Sequence, residues 1–304
     1  MAVKSPFNPL SPQQRWIAAL LLLLVLGVLA LLSRWAPRPE VTTEPQPTPS
    51  PADHLANRNI RYGMPGPAQA DPASREAFLI AREQYVLSYN DTKKIPNWVS
   101  WHLTQSDIGK TDREPGFLPD PALPPEFYAV KQADYNNSGF DRGHMCPSKD
   151  RSDTRENNRA TFYMTNIVPQ SPACNQRAWA QLENDCRRLA QKGNELYIAC
   201  GPHGEGGTGL DGFKTALTLS RNNAITVPNA VWKVVMILPN SDAQPTAETR
   251  TLAAWMPNDQ SVQNNWKRYL VTVAEVEEKT GLKFFPLLPD EIAHPIKNRL
   301  YTER

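Results

Sequence analysis

Four consecutive residues, Asp141, Arg142, Gly143 and His144, combine side chains that rarely occur together in a hydrophobic core. A neutral imidazole can accept a proton from water near pH 7. A guanidinium carries a fixed charge that suits phosphate, and the glycine allows an unusual backbone turn. Because a single histidine is more often structural than catalytic, these four residues alone indicate a catalytic site only weakly.

A second group of polar residues follows in the stretch Thr165–Asp185, TNIVPQSPACNQRAWAQLEND. It supplies the amide oxygens of Asn166 and Asn175 and the carboxylate of Glu183. Mg²⁺ prefers oxygen ligands and usually keeps several waters, so few protein ligands are needed. Since Asn175 stands at the beginning of a predicted helix, helix capping is the alternative interpretation of this residue.

Together, the Asp-Arg-Gly-His motif and the pattern TNxxPQxxxxNxxxWxxLE resemble the DNA/RNA non-specific endonucleases. These ββα-metal nucleases include secreted bacterial and cyanobacterial nucleases and mitochondrial endonuclease G. The resemblance extends from near His54 to Asp290 and looks closest to the bacterial branch, which carries the pattern RGHxxPSxDR. In that branch a small residue often stands at the position of Lys149, a departure that does not affect the chemistry implied by the resemblance.

The resemblance implies a site that hydrolyses the phosphodiester bonds of DNA and RNA, with Mg²⁺ as the cofactor and Mn²⁺ able to substitute. His144 resembles the general base that deprotonates the attacking water. Asn175 resembles the one direct protein ligand of the metal ion, and Glu183 resembles the residue that holds a metal-bound water. The products would carry 5′-phosphate and 3′-hydroxyl ends.

The resemblance also assigns charged and polar residues around this centre. Arg113, in KTDREPGF, resembles the arginine that binds the scissile phosphate, and Arg187 resembles a second phosphate contact. Asn166 resembles a polar residue that orders the catalytic site, and Arg142 resembles an anchor for the substrate or for a loop. Asp141 is expected to fix loop geometry rather than to take part in the chemistry.

The helix that would carry several of these residues is predicted over 175–194 from its hydrophobic period. At about 100° per residue, Glu183 and Arg187 lie on one flank of an apolar stripe, one turn apart. The stripe consists of Trp179, Leu182, Cys186 and Leu189. Asn175 is in line with the stripe and is therefore expected to point toward the protein.

Other elements are predicted from apolar, aromatic and β-branched runs and from capping residues. One helix is predicted over 71–83, where Asp71-Pro72 has the form of a helix N-terminus, and another begins at a capping box formed by Thr272 and Glu275 and ends at Gly281. The predicted strands are Tyr85–Tyr89, Asn97–Thr104, Thr161–Pro169, Glu195–Gly201 and Val231–Leu238. Two loops are predicted, a long ordered one over 105–137 and a flexible, glycine-rich one over 201–212.

Strands and helices are mixed along the chain without strict βαβ alternation. The sequence therefore predicts an α+β fold with a mostly antiparallel central sheet flanked by helices. The resemblance adds a ββα-metal active site to this expectation.

The first 53 residues differ in composition from the rest of the chain. Residues 1–15 form a short tail, and residues 16–33 carry no charge and can just span a bilayer as a helix. We expect a signal anchor here, with a cleaved signal peptide as the alternative. Residues 34–53 read as a proline-rich linker and 54–304 as the endonuclease domain. The catalytic domain is then expected outside the cytoplasm, anchored to the membrane or, after cleavage, secreted.

The remaining composition sets few further limits. A net charge of +2 neither indicates nor excludes a nucleic-acid partner, because a local basic groove can exist in a balanced chain. Outside the cytoplasm the four cysteines could form disulfides, with three possible full pairings, and their spacings do not suit a zinc finger.

Two other classes of function remain compatible with the sequence. One is a nucleic-acid-binding protein that has lost catalysis, against which the intact His144, Asn175 and Glu183 argue. The other is a metal-dependent phosphodiesterase of small phosphoesters, against which the long loop carrying Arg113 argues because it suggests a groove for a polymer. The sequence leaves open the oligomeric state and whether an inhibitor protein binds the domain.

Overall fold

Apolar and β-branched runs build a seven-stranded antiparallel sheet in the computed structural model, which describes residues 57–220 and 223–303. Its strands are β1 (Phe78–Ala81), β2 (Val86–Asn90), β3 (Ile95–Leu103), β6 (Glu195–His203), β11 (Ala230–Leu238), β12 (Arg250–Pro257) and β13 (Leu270–Val271). They lie side by side in the order β1-β2-β3-β6-β11-β12-β13, and each neighbouring pair is antiparallel. The prediction of an α+β fold with a mostly antiparallel central sheet is confirmed.

Three two-stranded sheets accompany the central sheet in the described residues. Their strands are β4 (Asp141–His144) with β5 (Ile167–Gln170), β7 (Gly207–Gly209) with β8 (Gly212–Lys214), and β9 (Ala216–Ser220) with β10 (Asn223–Thr226). In the glycine-rich stretch 201–212, residues 201–203 belong to β6 and residues 207–209 and 212 to the pair β7–β8, so the prediction of a flexible surface loop there is wrong. Glycine suits such a short hairpin because Gly212 adopts a positive φ of 99°.

The described helices are short. They are α1 (Arg155–Ala160), α2 (Ala180–Gln191), α3 (Val273–Thr280) and α4 (Asp290–Asn298). A π-helical turn, Cys174–Trp179, leads directly into α2. Single 3-10 turns occur at Arg58–Ile60, Gln105–Asp107, Gln132–Tyr135, Ser148–Arg151, Met164–Asn166 and Trp266–Tyr269.

Both faces of the central sheet are covered, which explains why β11 reads as an almost continuous apolar run. Alternate residues of β11 point to opposite faces. Val231 and Val235 belong to the core that includes the apolar stripe of α2, whereas Trp232 and Val234 belong to the core shared with α3 and α4. The helix α2 is therefore held on one face of the sheet by its buried stripe.

Several predicted elements agree with the structure. The strands β2, β3, β6 and β11 lie within two residues of their predicted bounds. The capping box of Thr272 and Glu275 begins α3, and Gly281 ends it in the left-handed conformation with φ 73°. Between β3 and β4 the chain is a long loop whose regular structure is limited to two 3-10 turns, as predicted for residues 105–137.

The helix predicted over 71–83 is wrong. Asp71 accepts hydrogen bonds from Ala73 and Ser74, which makes a local turn rather than a helix N-terminus. Phe78 then begins β1 and pairs with Tyr89 of β2. Pairing with the sheet buries Phe78, Leu79 and Ile80 and outweighs the local helix signal.

The predicted membrane anchorage is corrected by the structure. Within residues 57–220 and 223–303, no helix is long and apolar enough to cross a membrane. The helix α2 with its preceding turn is the longest described helical segment, and it carries polar residues along much of its length. The segment 16–33, on which the expectation of a membrane-bound or exported catalytic domain rested, lies outside the described residues.

Candidate active site

Two paired strands and one helix bring the separated motifs together. The strand β4 is the Asp-Arg-Gly-His motif itself, and it pairs with β5 so that His144 lies opposite Ile167. The chain then turns from β5 into the helical segment that carries Asn175 and Glu183. The order of strand, strand and helix therefore places the histidine, the amide and the carboxylate around one pocket.

This active-site pocket has a volume of about 280 Å³. Six of the seven residues assigned from the sequence line it, and the seventh, Asn166, does not. The lining residues are Arg113, Arg142, His144, Pro147, Ser148, Lys149, Asn175, Gln176, Ala180, Glu183, Asn184 and Arg187. The pocket thus combines one imidazole, one carboxylate, several amides and a surplus of cationic side chains.

The imidazole of His144 is buried between aromatic rings. The ring centroids of Phe117 and Phe162 lie 5.2 Å and 4.9 Å from that of His144. Burial, aided by the charge of Arg113, lowers the pKa of His144 to about 3. Its Nε2 is enclosed and has no hydrogen-bond partner within residues 57–220 and 223–303. The side chain is therefore a neutral imidazole whose Nε2 takes no part in a structural hydrogen bond.

The amide of Asn175 is oriented by the first residue of the motif. Its Nδ2 donates a hydrogen bond of 2.8 Å to Oδ2 of Asp141, and Nε2 of Gln176 donates one of 2.9 Å to the same oxygen. The side chain does not cap the helix, because Asn175 lies inside the π-helical turn rather than before it. Helix capping is thus excluded, and within the part of the chain that the structure describes Oδ1 of this pocket-lining amide accepts no hydrogen bond.

Glu183 lies one helical turn before Arg187, as the helical period predicted, and both face the pocket. Burial raises the pKa of the Glu183 carboxyl, against the opposing positive charges of Lys233, Arg187 and Arg113. Arg187 is buried and its Nη1 lies 2.7 Å from Oδ1 of Asp150. The guanidinium of Arg187 is therefore already paired with a carboxylate at the wall of the pocket.

The two remaining arginines are held by neutral partners. Nη1 of Arg113 donates to the hydroxyl of Ser148 at 3.2 Å, and its guanidinium lies 4.8 Å from the ring centroid of Phe162. Arg142 donates from Nε and Nη2 to the carbonyl of Gln132, at 3.1 and 2.6 Å. Arg142 thus anchors the long loop between β3 and β4. The positive charge of Arg113 is not neutralised by its hydroxyl partner and faces the pocket.

Asn166 acts on the backbone beside the pocket instead of lining it. It is fully buried, its Oδ1 accepts from the Cys146 amide at 2.9 Å, and its Nδ2 donates to the carbonyls of Cys146 and Thr161 at 2.9 and 2.8 Å. These bonds fix the chain immediately after His144. The Asn166 side chain therefore orders the backbone next to His144 and does not itself line the pocket.

Gly143 is required for a different reason from the unusual turn expected from sequence. It lies in an extended strand and is not among the glycines with positive φ. A Cβ built on Gly143 would lie 2.6 Å from Cβ of Gln170 and would also collide with the Oε1 of that side chain. The glycine therefore permits a close approach between β4 and β5 directly beside His144.

Two buried charged residues next to the site were missed by the sequence analysis. Asp150 pairs with Arg187 and also accepts a 3.0 Å hydrogen bond from Nε1 of Trp101. Lys233 lies in the middle of β11 and is 1% exposed. A single lysine within the apolar run VWKVVMIL was the available signal, because an isolated charge in a strand buried on both faces requires compensation.

The four cysteines are free thiols in the structure, and all are buried. Burial raises the pKa of Cys174, Cys186 and Cys200 to about 12 and also raises that of Cys146. None of the disulfide pairings considered from sequence is formed, and the thiols act as small apolar side chains of the core.

A β-β-α unit with a histidine on its first strand and an asparagine and a glutamate on its helix defines a nuclease of the ββα-metal class. A family model for DNA/RNA non-specific endonucleases matches residues 66–291. The chain belongs to the DNA/RNA non-specific endonuclease family and is a hydrolase of nucleic acids. Membership in this family implies a divalent metal ion.

Individual relatives support this assignment. A protein named nuclease from Nostoc sp. is 37% identical over 285 residues, which cover 93% of this chain and 96% of that protein. The mitochondrial nuclease EXOG of Danio rerio is 32% identical over 209 residues, or 67% of this chain, and the match spans 60% of its own length. A crystal structure of the EndoG/EndoGI complex is similar with a TM-score of 0.64 and 28% identity, covering 81% of this chain and 96% of that one.

Replacing Gly143 with alanine should disturb the strand pair. The added Cβ must displace Gln170, and overpacking of this kind costs about 1–3 kcal/mol. We expect chemical denaturation to show this loss of stability, together with reduced nuclease activity, because His144 is the adjacent residue. Gly116→Ala is the matched control, since its Cβ would meet only the end of the Gln132 side chain at 3.2 Å. Wild-type stability and activity of Gly143→Ala would contradict the close-approach argument.

The buried neutral His144 should make stability depend on pH. Its pKa is about 3 in the folded protein, so the unfolded chain, with a histidine pKa of about 6.5, binds the additional proton between these values. The free energy of unfolding should therefore fall as the pH decreases below about 6.5, by up to about 1.4 kcal/mol per pH unit from this residue. Urea denaturation between pH 7 and pH 4 should give a shallower dependence for His144→Gln than for the wild type. Equal slopes would show that His144 titrates normally in the folded protein.

Proposed function

We propose that the protein is a Mg²⁺-dependent, sugar-nonspecific endonuclease in which His144 acts as the general base, with Mn²⁺ able to replace Mg²⁺. The observation that carries the proposal is the neutral, uncommitted imidazole of His144 in one pocket with the Asn175 amide and the Glu183 carboxylate. We further propose that residues 54–304 form the nuclease domain, within which the family match lies.

The base step uses the ring nitrogen that is not enclosed. Because Nε2 of His144 is buried, Nδ1 is the atom available to accept the proton of the attacking water. The water oxygen forms a bond to phosphorus, and the bond between phosphorus and the 3′ oxygen breaks. The products are a 5′-phosphate end and a 3′-hydroxyl end, the latter after the leaving oxygen takes up a proton.

The donor set of the pocket fits a hard divalent cation. Asn175 would hold the ion through Oδ1, because its Nδ2 is engaged with Asp141, and Glu183 would hold the ion through water. When bound, the ion stabilises negative charge on the scissile phosphate. Arg113 would contact the same phosphate, Arg142 would keep the loop in place, and Asn166 would keep the backbone after His144 in place.

A second pocket next to the first favours a polymeric substrate over a small phosphoester. It has a volume of about 510 Å³ and shares Lys149, Asn184 and Arg187 with the active-site pocket. It adds the exposed side chains of Lys110 and Arg188. A basic surface that continues away from the reaction centre suits a chain of phosphates, and contacts to phosphate carry affinity without sequence preference. This surface also supports cleavage of both DNA and RNA.

Digestion of plasmid DNA and RNA by the full chain tests the proposed activity. We expect cleavage of both polymers with Mg²⁺ or Mn²⁺, loss of cleavage with EDTA, and a decrease of about 10²–10⁴-fold for His144→Ala. His294→Ala is the matched control, because that histidine is exposed on α4 and outside the pocket. If the folded wild type binds DNA but does not cleave it, the protein is a nucleic-acid-binding protein without catalysis. Full activity of His144→Ala would exclude His144 as the general base.

The two exposed cationic residues that line the neighbouring pocket but not the active-site pocket, Lys110 and Arg188, should matter for polymers alone. In Lys110→Ala/Arg188→Ala we expect a higher KM for plasmid DNA. The slope of log affinity against log salt concentration should become shallower by about 2, one unit for each lost phosphate contact. Hydrolysis of a small chromogenic phosphodiester should change little. The control, Lys93→Ala/Lys283→Ala, removes two exposed lysines outside both pockets. Equal losses on polymer and small diester would favour the small-phosphoester enzyme.

A further inference from the structure

Arg113 lies on a stretch of the long loop between β3 and β4 that has no regular structure. Residues 108–131 form neither helix nor strand. The side chain of Arg113 is exposed and lines the active-site pocket. Because an irregular segment loses conformational entropy at every residue that is ordered, the position of this arginine has to be fixed by specific contacts.

The buried side-chain amide of Asn158 provides two of these contacts. Asn158 lies in α1 and is 2% exposed. Its Oδ1 accepts a hydrogen bond of 3.0 Å from the backbone amide of Glu114, the residue that follows Arg113. Its Nδ2 donates one of 2.8 Å to the backbone carbonyl of Ser148 and a longer one of 3.3 Å to that of Arg151. The amide therefore joins the loop to the 3-10 turn that follows β4.

The guanidinium of Arg113 is held by the same 3-10 turn. Its Nη1 donates to Oγ of Ser148 at 3.2 Å, and its Cζ lies 4.8 Å from the ring centroid of Phe162. Ser148 is buried, and its backbone carbonyl is the acceptor for Asn158. One buried amide thus holds the backbone beside Arg113 and also the residue to which the Arg113 guanidinium is bonded.

The backbone of the loop has few other contacts at this point in the described part of the chain. Its nearest backbone hydrogen bonds to another segment start at Thr111 and Leu118, three and four residues from Glu114. The side chain of Glu114 also pairs with Arg159, whose side chain is 48% exposed. Because that arginine is half exposed, water screens the pair. Asn158 therefore supplies the buried contact at this point of the loop.

The side chain of asparagine suits this position because its two partners have opposite hydrogen-bonding roles. The amide of Glu114 needs an acceptor, and the carbonyl of Ser148 needs a donor. A carboxylate can only accept, and alanine can do neither. Since a buried polar group without a partner is unfavourable, the loss of Asn158 would favour arrangements of the loop in which water reaches the Glu114 amide.

We propose that Asn158 is a positioning residue that fixes Arg113 in the pocket, by holding the backbone beside it and its hydrogen-bond partner Ser148. The inference rests on the proposed function, in which Arg113 contacts the scissile phosphate. Asn158 itself touches neither substrate nor metal ion. It restricts the loop before a substrate binds, so that the guanidinium is already in place when negative charge develops on the phosphate.

Hydrogen exchange of the full chain tests the anchoring of the loop without substrate or metal ion. In Asn158→Ala the backbone amide of Glu114 loses its acceptor. Exchange in peptides that contain residues 112–118 should become up to about tenfold faster, as expected for the loss of one or two hydrogen bonds. The strands of the central sheet should keep their wild-type exchange rates.

The matched control is Asn59→Ala. Asn59 is also 2% exposed, and its side-chain amide also joins separate segments. It accepts from the backbone amide of His102 and donates to the carbonyls of Arg82 and Glu83, outside the active-site pocket. Its loss should lower the melting temperature without faster exchange in residues 112–118.

A double-mutant cycle with Arg113 tests the consequence for catalysis. With plasmid DNA and Mg²⁺, below the melting temperature of each variant, Asn158→Ala should lower kcat/KM by about tenfold or more, because the arginine is misplaced. In the Arg113→Ala background the same substitution should change kcat/KM by less than about twofold, because the residue that Asn158 positions is absent. A purely structural role predicts the same factor in both backgrounds, and that result would overturn the inference.

Asn158→Asp replaces Asn158→Ala in the cycle if the alanine variant does not fold, since aspartate keeps the size and the acceptor and loses only the donor toward Ser148. Its effect on kcat/KM should depend on Arg113 in the same way. Unchanged exchange in residues 112–118 of Asn158→Ala would overturn the anchoring of the loop, whatever the protein hydrolyses. Full activity of Arg113→Ala would contradict the proposed function of Arg113 and thereby the catalytic consequence of Asn158, even where exchange is faster.

Discussion

The buried carboxylate of Asp150 joins the chain after β4 to the strand β3 and to the helix α2, and so fixes two of the elements that build the active site relative to the central sheet. It lies six residues after His144 on the chain that continues from β4, accepts a hydrogen bond from Trp101 of β3, and pairs with Arg187 of α2. Removing one member of such a buried pair typically costs about 3–5 kcal/mol, because the other charge is left without compensation. The geometry of the pocket therefore depends on this buried ion pair.

Burial has opposite consequences for the two titratable groups of the pocket. It lowers the pKa of His144 to about 3 and raises that of Glu183. For the proposed general base His144 the lowered pKa is favourable, since only the neutral ring accepts a proton. For the glutamate it is a liability, because the charged form is disfavoured. The surrounding cations oppose this liability, and one of them, Lys233, is placed inside the core.

The parts of the structure that follow local periodicity could be predicted from the sequence. The apolar stripe of α2 correctly put Glu183 and Arg187 on one flank, and Thr272 with Glu275 correctly placed the start of α3. The strand β1 could not be found from local signals, because the turn at Asp71 imitates a helix start and the strand exists through pairing with β2.

Contacts between distant residues account for the remaining differences. The role of Gly143 is set by Gln170 on the opposite strand, and the orientation of Asn175 is set by Asp141, 34 residues earlier. Neither contact can be predicted from the residues that neighbour Gly143 or Asn175 in the sequence. The pairing of Arg187 with Asp150 and the burial of Lys233 likewise appear only once the helix lies on the sheet.

In the proposed mechanism, the positive charge of the pocket would link substrate binding to proton transfer. Arg187 is paired with a carboxylate, whereas Arg113 is bonded to a neutral hydroxyl and Arg142 to a neutral carbonyl, so these partners do not neutralise Arg113 or Arg142. The charge of Arg113 would attract phosphate and, together with burial, lowers the pKa of His144. A phosphodiester at the same place brings the opposite charge, and more negative charge develops on it as the bond to water forms. In the proposed mechanism, the proton affinity of His144 would therefore rise during the reaction, at the stage when the imidazole accepts the proton.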